Sequence, residues 1–199
     1  MDCTNPFCAA LDAATREILC AAKVRFKFGP KQDGFFYIGE GQLILIDHGH
    51  ILTVRQRSDG KQKGIEVLRG GDILGLSQLC DTIPDNTILI MARERTEGCL
   101  FTKEFFRSLC LKNGTFANFV LANICRRFSD AVAQIEHLSL DNNMGKLLFA
   151  IERVQPEIKL THEELSVLAG MNRVTATKIM QIIKKKSLSS NKPVAPKKE

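Results

Sequence analysis

Three groups of residues in this chain have types and spacings that could do chemistry. The first lies between Leu160 and Lys186, where the text reads LTHEELSVLAGMNRVTATKIMQIIKKK. Here Arg173, Thr175, Thr177 and Lys178 crowd the start of a helical pattern and offer hydrogen bonds and positive charge to a polyanion. The second group is sulfur. Seven Cys stand at positions 3, 8, 20, 80, 99, 110 and 125, an odd number that argues against a structural disulfide framework. Metal binding, reversible thiol oxidation and simple burial remain open for them. The third is His48-Gly49-His50, two imidazoles at a spacing used by metal sites, but no carboxylate follows until Asp59. A surface turn is the better reading of that pair. Neither a Gly-rich phosphate loop, a Ser elbow nor a zincin motif is present, so the sequence favours a binding protein over an enzyme.

The elements that must position the first group are legible. Thr161 followed by Glu164 is a capping box, and Leu165, Leu168 and Ala169 give the helix it opens an apolar face. Gly170 breaks the period where a sharp turn needs a residue without a Cβ. Asn172 can cap a second helix, with Val174, Ile179, Ile182 and Ile183 as its apolar side and Lys184, Lys185 and Lys186 at its end. A helix, a Gly turn and a second helix with polar groups at its front describe a DNA-reading helix-turn-helix, against the blander alternative of a solvated helical hairpin. The charge supports the first. The formal net charge is +6, and the residues after Ile183 hold six Lys and one Glu, so nearly all of the excess lies beside this motif.

Upstream, a short helix is predicted over 12–22. Strand-like runs follow at Phe35-Phe36-Tyr37-Ile38, Leu43-Ile44-Leu45-Ile46, 51–57, 65–68, 87–92 and 99–101, with turns at Ser58-Asp59-Gly60 and Gly70-Gly71-Asp72. Leu43 to Ile46 is continuous enough to be buried on both faces. Many short strands at regular turn spacing predict an all-β roll or sandwich. Helical periodicity begins at 103–111 and continues from Thr115 to about Leu138, a length whose apolar stripe one small roll cannot cover. A partner helix is therefore expected, with Phe116, Val120, Asn123, Ile124, Arg127 and Ala131 at the interface and Asn123 and Arg127 setting its register. A further helix is predicted over 144–154, and 187–199 reads as a basic, disordered tail. Nothing resembles a membrane span or a signal peptide, which predicts a cytoplasmic protein.

A β-roll, a long pairing helix and a C-terminal helix-turn-helix, in that order, resemble the Crp/Fnr family of bacterial transcription regulators. The local text is similar too: Phe36-Tyr37-Ile38 through Gly41-Gln42-Leu43, Asp59-Gly60-Lys61, Leu68-Arg69-Gly70-Gly71-Asp72-Ile73-Leu74-Gly75, and Leu160 to Met180. The resemblance implies an α+β chain with a Cys-containing segment over 1–23, a cyclic-nucleotide-binding-like jelly roll over 24–112, a dimerisation helix over 113–140, a DNA-binding domain over 141–186 and a tail over 187–199. It implies a homodimer on a near-palindromic double-stranded DNA operator, contact with RNA polymerase, and a small effector between roll and long helix. Arg173, Val174 and Lys178 would face bases while Thr175 and Thr177 hold phosphates. The corner Gly75-Leu76-Ser77-Gln78 lacks the Glu and Arg with which the family's cyclic-nucleotide binders grip ribose and phosphate, so cyclic AMP is not the expected effector. Val174-Thr175 is similar to a branch that senses halogenated aromatics. Another branch binds a [4Fe–4S] cluster through N-terminal Cys and one Cys of the roll, which maps onto Cys3, Cys8, Cys20 and Cys99 here, although the C-x4-C-x11-C spacing is looser than that branch's own. A thiol–disulfide sensor using the same Cys is the alternative.

Anaerobic purification separates these inputs. A cluster gives a brown protein that bleaches in air and loses iron and sulfide in Cys99→Ser; a colourless, iron-free protein moves the weight to thiol chemistry or an organic effector.

Overall fold

The computed structural model describes residues 5–29, 41–80, 89–92, 94–154 and 160–190. The expected strand at Phe35–Ile38 and the first residues of the one at 87–92 lie outside them. The chain divides into two compact units, Met1–Glu136 and His137–Glu199.

The first unit is built on two antiparallel sheets. One has the order β1 (Val24–Phe28), β7 (Thr96–Thr102), β2 (Gln42–His48), β5 (Ile73–Leu74); the other runs β4 (Gln62–Leu68), β3 (Ile51–Gln56), β6 (Leu89–Ala92). Strand β2 explains the pair of cores. Successive side chains of a strand point to opposite faces, so Ile44 and Ile46 pack with Leu74 against Ile51, Leu68 and Ile90 of the second sheet. Leu43 and Leu45 turn the other way and join Ile73, Cys99 and Phe101 beneath the helices. All four β2 residues are no more than 1% exposed. The continuous apolar run is thus a strand sandwiched on both faces, as its sequence predicts. Gly98 sits opposite because a Cβ there would lie 2.5 Å from the Leu45 carbonyl oxygen. In the second sheet Thr53 pairs with Glu66 but Val54 with Gly64, leaving Ile65 as an extra residue in a β-bulge.

Helices close the lower core. Among the described residues they are α1 (Pro6–Ala9), α2 (Ala13–Ala22), α3 (Lys103–Lys112) and α4 (Gly114–Leu140). Each of the first three has a side-chain cap, from Asn5, Asp12 and Thr102. Asn113 serves two elements: its Oδ1 accepts from the Phe116 amide at 2.9 Å, and its Nδ2 donates to the Thr15 hydroxyl at 2.6 Å. Phe116 packs edge-on against Phe7 and Phe106, with centroids 5.9 and 5.0 Å away, and so draws α1, α3 and α4 together. Helix α1 was not anticipated. Its signal is Asn5-Pro6, a capping residue followed by a residue suited to the first helical position.

The second unit holds α5 (Asn143–Val154), α6 (His162–Ala169) and α7 (Arg173–Ser190). Helix α7 passes the expected end at Lys186 and takes in the first residues of the predicted tail. The cause is composition, since no Gly or Pro intervenes before Pro193. No helix among the described residues is long and apolar enough to cross a membrane.

Asn5 ties the N-terminal segment to the roll. Its Oδ1 accepts from the Phe7 and Cys8 amides at 2.8 and 3.3 Å, while its Nδ2 donates to the Ile46 carbonyl at 2.9 Å and to the Asp47 carboxylate. Asn5 is fully buried. Asn5→Ala should lower the unfolding free energy by about 2–3 kcal/mol, read from urea denaturation, because a cap is lost and buried polar groups go unpaired.

Candidate nucleic-acid interface and sensor residues

The helix-turn-helix is assembled as its sequence predicts. The Glu164 carboxylate accepts from the Thr161 amide at 2.7 Å and the Thr161 hydroxyl accepts from the Glu164 amide at 3.3 Å, closing the capping box. Leu165, Leu168 and Ala169 are buried. Gly170 ends α6 at φ 66° and ψ 37°, the left-handed conformation that a Cβ disfavours. Asn172 Oδ1 accepts from the Thr175 amide at 2.8 Å and starts α7. Ala176 and Ile179 face inward.

What remains of α7 is its outer surface. Arg173, Val174 and Lys178 are exposed, Val174 by 64%. Thr175 and Thr177 are half-buried. At helical spacing Val174, Lys178, Gln181 and Lys185 form one exposed row. Gln181 was missed in the sequence, where the interval of seven from Val174 was the available signal. From Asn172 to Ser190 there is no acidic residue, so the row lies in a uniformly basic element. The Thr177 hydroxyl is not aimed at solvent alone: it lies 3.2 Å from His162 Nδ1 on α6.

Helix α4 has two faces with different chemistry. On one, Asn123 Nδ2 donates to the Gly71 carbonyl at 3.3 Å, Arg126 pairs with Asp72, and Gln134 donates to the Gly64 carbonyl at 3.3 Å. Arg127 makes the strongest contact there. Its Nε donates to a Glu66 oxygen at 2.9 Å, a second guanidinium nitrogen pairs with the other oxygen, and a third donates to the Ile73 carbonyl at 2.6 Å. Phe116 and Val120 lie in the core beneath the sheet. The sequence reading put Phe116, Val120, Asn123 and Arg127 at a partner helix; their side chains serve the roll of their own chain. Periodicity marks the helix but does not say which of two adjoining faces meets which neighbour. Ile124 and Ala131, of the same set, are exposed. They lie on the other face with Leu121, Phe128, Val132 and Ile135, which are 48–70% exposed against 41% for Ile124.

The Cys expectations separate by position. Cys3 lies outside the described residues. Cys8 and Cys99 are buried in the core with Phe7, Leu45 and Phe101, and the Cys99 thiol lies 3.8 Å from both oxygens of Asp47, a carboxylate already paired with Arg25 at 2.5 Å. Cys20 is half-buried and its sulfur lies 3.3 Å from Lys23 Nζ. Among the described residues no group of three His, Cys, Asp or Glu is gathered to hold a metal. The described Cys therefore do not fit the four-thiolate set of a [4Fe–4S] cluster. Burial pushes the Cys110 thiol up, in keeping with a packing residue. His48 and His50 do not converge either: His48 faces Glu97 at 3.9 Å, whereas His50 pairs with Glu94. In the corner after the Gly-Asp turn, Gln78 accepts from the Gln42 amide at 3.0 Å and is engaged with the roll's own backbone.

No family model matches the chain. Among known proteins it is 24% identical over 161 residues to the cyclic AMP receptor protein of Thermus thermophilus, covering 77% of this chain and 74% of that one. Among solved structures it is similar to the c-di-GMP responsive global regulator CLP of Xanthomonas campestris, with a TM-score of 0.74, 18% identity and coverage of 89% and 94% of the two chains. A Crp/Fnr-family transcriptional regulator from Eubacterium rectale gives a TM-score of 0.71 at 18% identity, covering 91% and 87%. The fold is that of the Crp/Fnr regulators, as the resemblance read from the sequence implies. The relatives by sequence include cAMP-activated global transcriptional regulators, and these neighbours by structure are likewise named as regulators.

Arg127→Ala would leave the half-buried Glu66 carboxylate and the Ile73 carbonyl without their partner. It should cost about 2–3 kcal/mol in urea unfolding, several times what loss of an exposed pair such as Lys61–Asp59 would cost.

Proposed function

We propose that this chain is a homodimeric, sequence-specific DNA-binding regulator of transcription. The observation that carries the reading is the exposed row on α7, in which Val174, Lys178, Gln181 and Lys185 stand clear on an acid-free helix whose opposite face, Ala176 and Ile179, is buried. Val174 suits a thymine methyl group, and Arg173 and Lys178 suit guanine or phosphate. Thr175 and Thr177 supply shorter polar contacts to the backbone. RNA polymerase is the partner such a regulator would address.

The dimer reading rests on the exposed stripe of α4. Leu121, Ile124, Phe128, Val132 and Ile135 recur at intervals of three and four, the spacing of a two-helix seam. Contiguous apolar surface of this kind marks an interaction site. A second copy of the chain is the occupant proposed for it, in keeping with a near-palindromic operator whose two half-sites lie about one helical turn, about 34 Å, apart. The signal is proposed to enter through the roll as a small effector. The enclosure of Cys8 and Cys99 speaks against a cluster, and the engagement of Gln78 speaks against the cyclic nucleotides for which relatives are named.

The test is selection of duplexes from a random library, followed by fluorescence anisotropy on the selected sequence and on scrambled DNA. Arg173→Ala should weaken binding to the selected duplex by about 1–3 kcal/mol with little change on scrambled DNA. Phe128→Glu should give a folded monomer by sedimentation and remove selective binding. Equal losses on both DNAs, or a wild-type monomer that still discriminates, would sink the respective halves of the proposal.

A further inference from the structure

We propose that His162 and Thr177 belong to the nucleic-acid interface as one polar unit, each side chain positioning the other so that the pair offers one directed donor to DNA; this rests on the DNA-binding reading above. His162 opens α6 directly after its cap, and its Nδ1 lies 3.2 Å from Thr177 Oγ1 on the following helix. Both residues are half-exposed, so the pair sits at the rim where α6 and α7 pack and not inside that packing. Thr177 is four residues beyond Arg173 and four before Gln181, both exposed, which puts it on the strip adjoining the outward row.

The physical need for the contact lies in the Thr rotamer. A helical Thr hydroxyl ordinarily turns back to a carbonyl three or four residues earlier, here Arg173 or Val174, and is then lost to any ligand. A side-chain partner on the neighbouring helix holds it across the groove between α6 and α7 instead. In the adjoining capping box, Glu164 Oε2 accepts from both the amide and the hydroxyl of Thr161.

The chemistry of the pair does not depend on the tautomer. If Nδ1 accepts from the Thr177 hydroxyl, Nε2 carries the ring proton and is the donor left over. If Nδ1 donates to Thr177 Oγ1, the hydroxyl keeps its own proton and becomes the donor. Either arrangement leaves one N–H or O–H for a phosphate oxygen or a base acceptor. A Thr177 without His162, or a ring without the hydroxyl, would present that donor with its direction unset. The pair therefore contributes to affinity on the preferred sequence, where geometry is fixed, more than on random DNA, where charge suffices.

The experiment is a double-mutant cycle with the full chain. Binding to the selected duplex and to scrambled DNA is measured at one salt concentration for the wild type, Thr177→Val, His162→Phe, the double variant, His162→Gln and Thr177→Ser. Thr177→Val and His162→Phe should each weaken selected-duplex binding about five- to twentyfold, and the double variant should lose no more than either, because the two groups act as one. Thr177→Ser, which keeps the hydroxyl, should bind as the wild type does, while in the other variants the thermal midpoint stays at the wild-type value and scrambled-DNA affinity falls clearly less than selected-duplex affinity. Additive losses, or equal losses on scrambled DNA, would overturn the proposal. So would a loss that follows the thermal midpoint across the set, His162→Gln included, since that is the mark of a purely structural role. Arg173→Ala is the control that keeps two failures apart. If it loses selectivity while the His162–Thr177 pair is uncoupled, only this inference falls; if the wild type itself does not discriminate, the regulator reading falls and takes this one with it.

Discussion

The Arg127 guanidinium, forked onto Glu66 and bonded to the carbonyl of Ile73, fixes which side of the long helix meets the roll. The β-bulge at Ile65 lies between the two residues that α4 uses on that strand, Glu66 for Arg127 and Gly64 for Gln134. Asn123 and Arg126 add contacts to the Gly71–Asp72 turn. Ion pairs of this kind return little net stability after desolvation, but a mispaired alternative leaves charges uncompensated. Their effect is therefore on orientation. With these groups facing the roll, Leu121, Ile124, Phe128, Val132 and Ile135 stay 41–70% exposed.

Legibility in the sequence followed the range of the interaction. The capping box at Thr161 and Glu164, the turn at Gly170 and the doubly buried run of Leu43 to Ile46 are all set by residues close in sequence, and each is found where its pattern points. Helix α1 escaped because four residues hold no period; only Asn5-Pro6 announced it. The faces of α4 escaped for another reason. Phe116, Val120 and Ile124 share one apolar stripe, yet the first two turn into the core and the third turns outward, a division decided by Glu66, fifty or more residues upstream. His162 was hidden in the same way, since its relation to Thr177 exists only once α6 and α7 have packed.

The buried Cys carry a related lesson. Sulfur count and softness suggest a metal site, whereas the environment of Cys8 and Cys99 is that of small apolar residues in a packed layer. Asp47 is the polar centre beside them, and its carboxylate is shared by Asn5, Arg25 and the Cys99 thiol. That arrangement anchors the N-terminal segment to β1 and β2. Chemistry-bearing residues can thus be framework, and the residues that face outward on α7 are chemically plainer.

Strand order has a kinetic consequence. Strand β1 pairs with β7, Val24 opposite Leu100, so the first strand made must wait for nearly the last of the roll before its sheet can close. Loop closure over that span precedes any contact that rewards it, and such topologies fold slowly. The second unit joins α5, α6 and α7 through neighbours in sequence and needs no such wait. During synthesis the early product is an unclosed roll: residues 96–102 must emerge before its sheet can close, and Phe106 and Phe116 after them before the core around Phe7, Leu19 and Leu43 is complete.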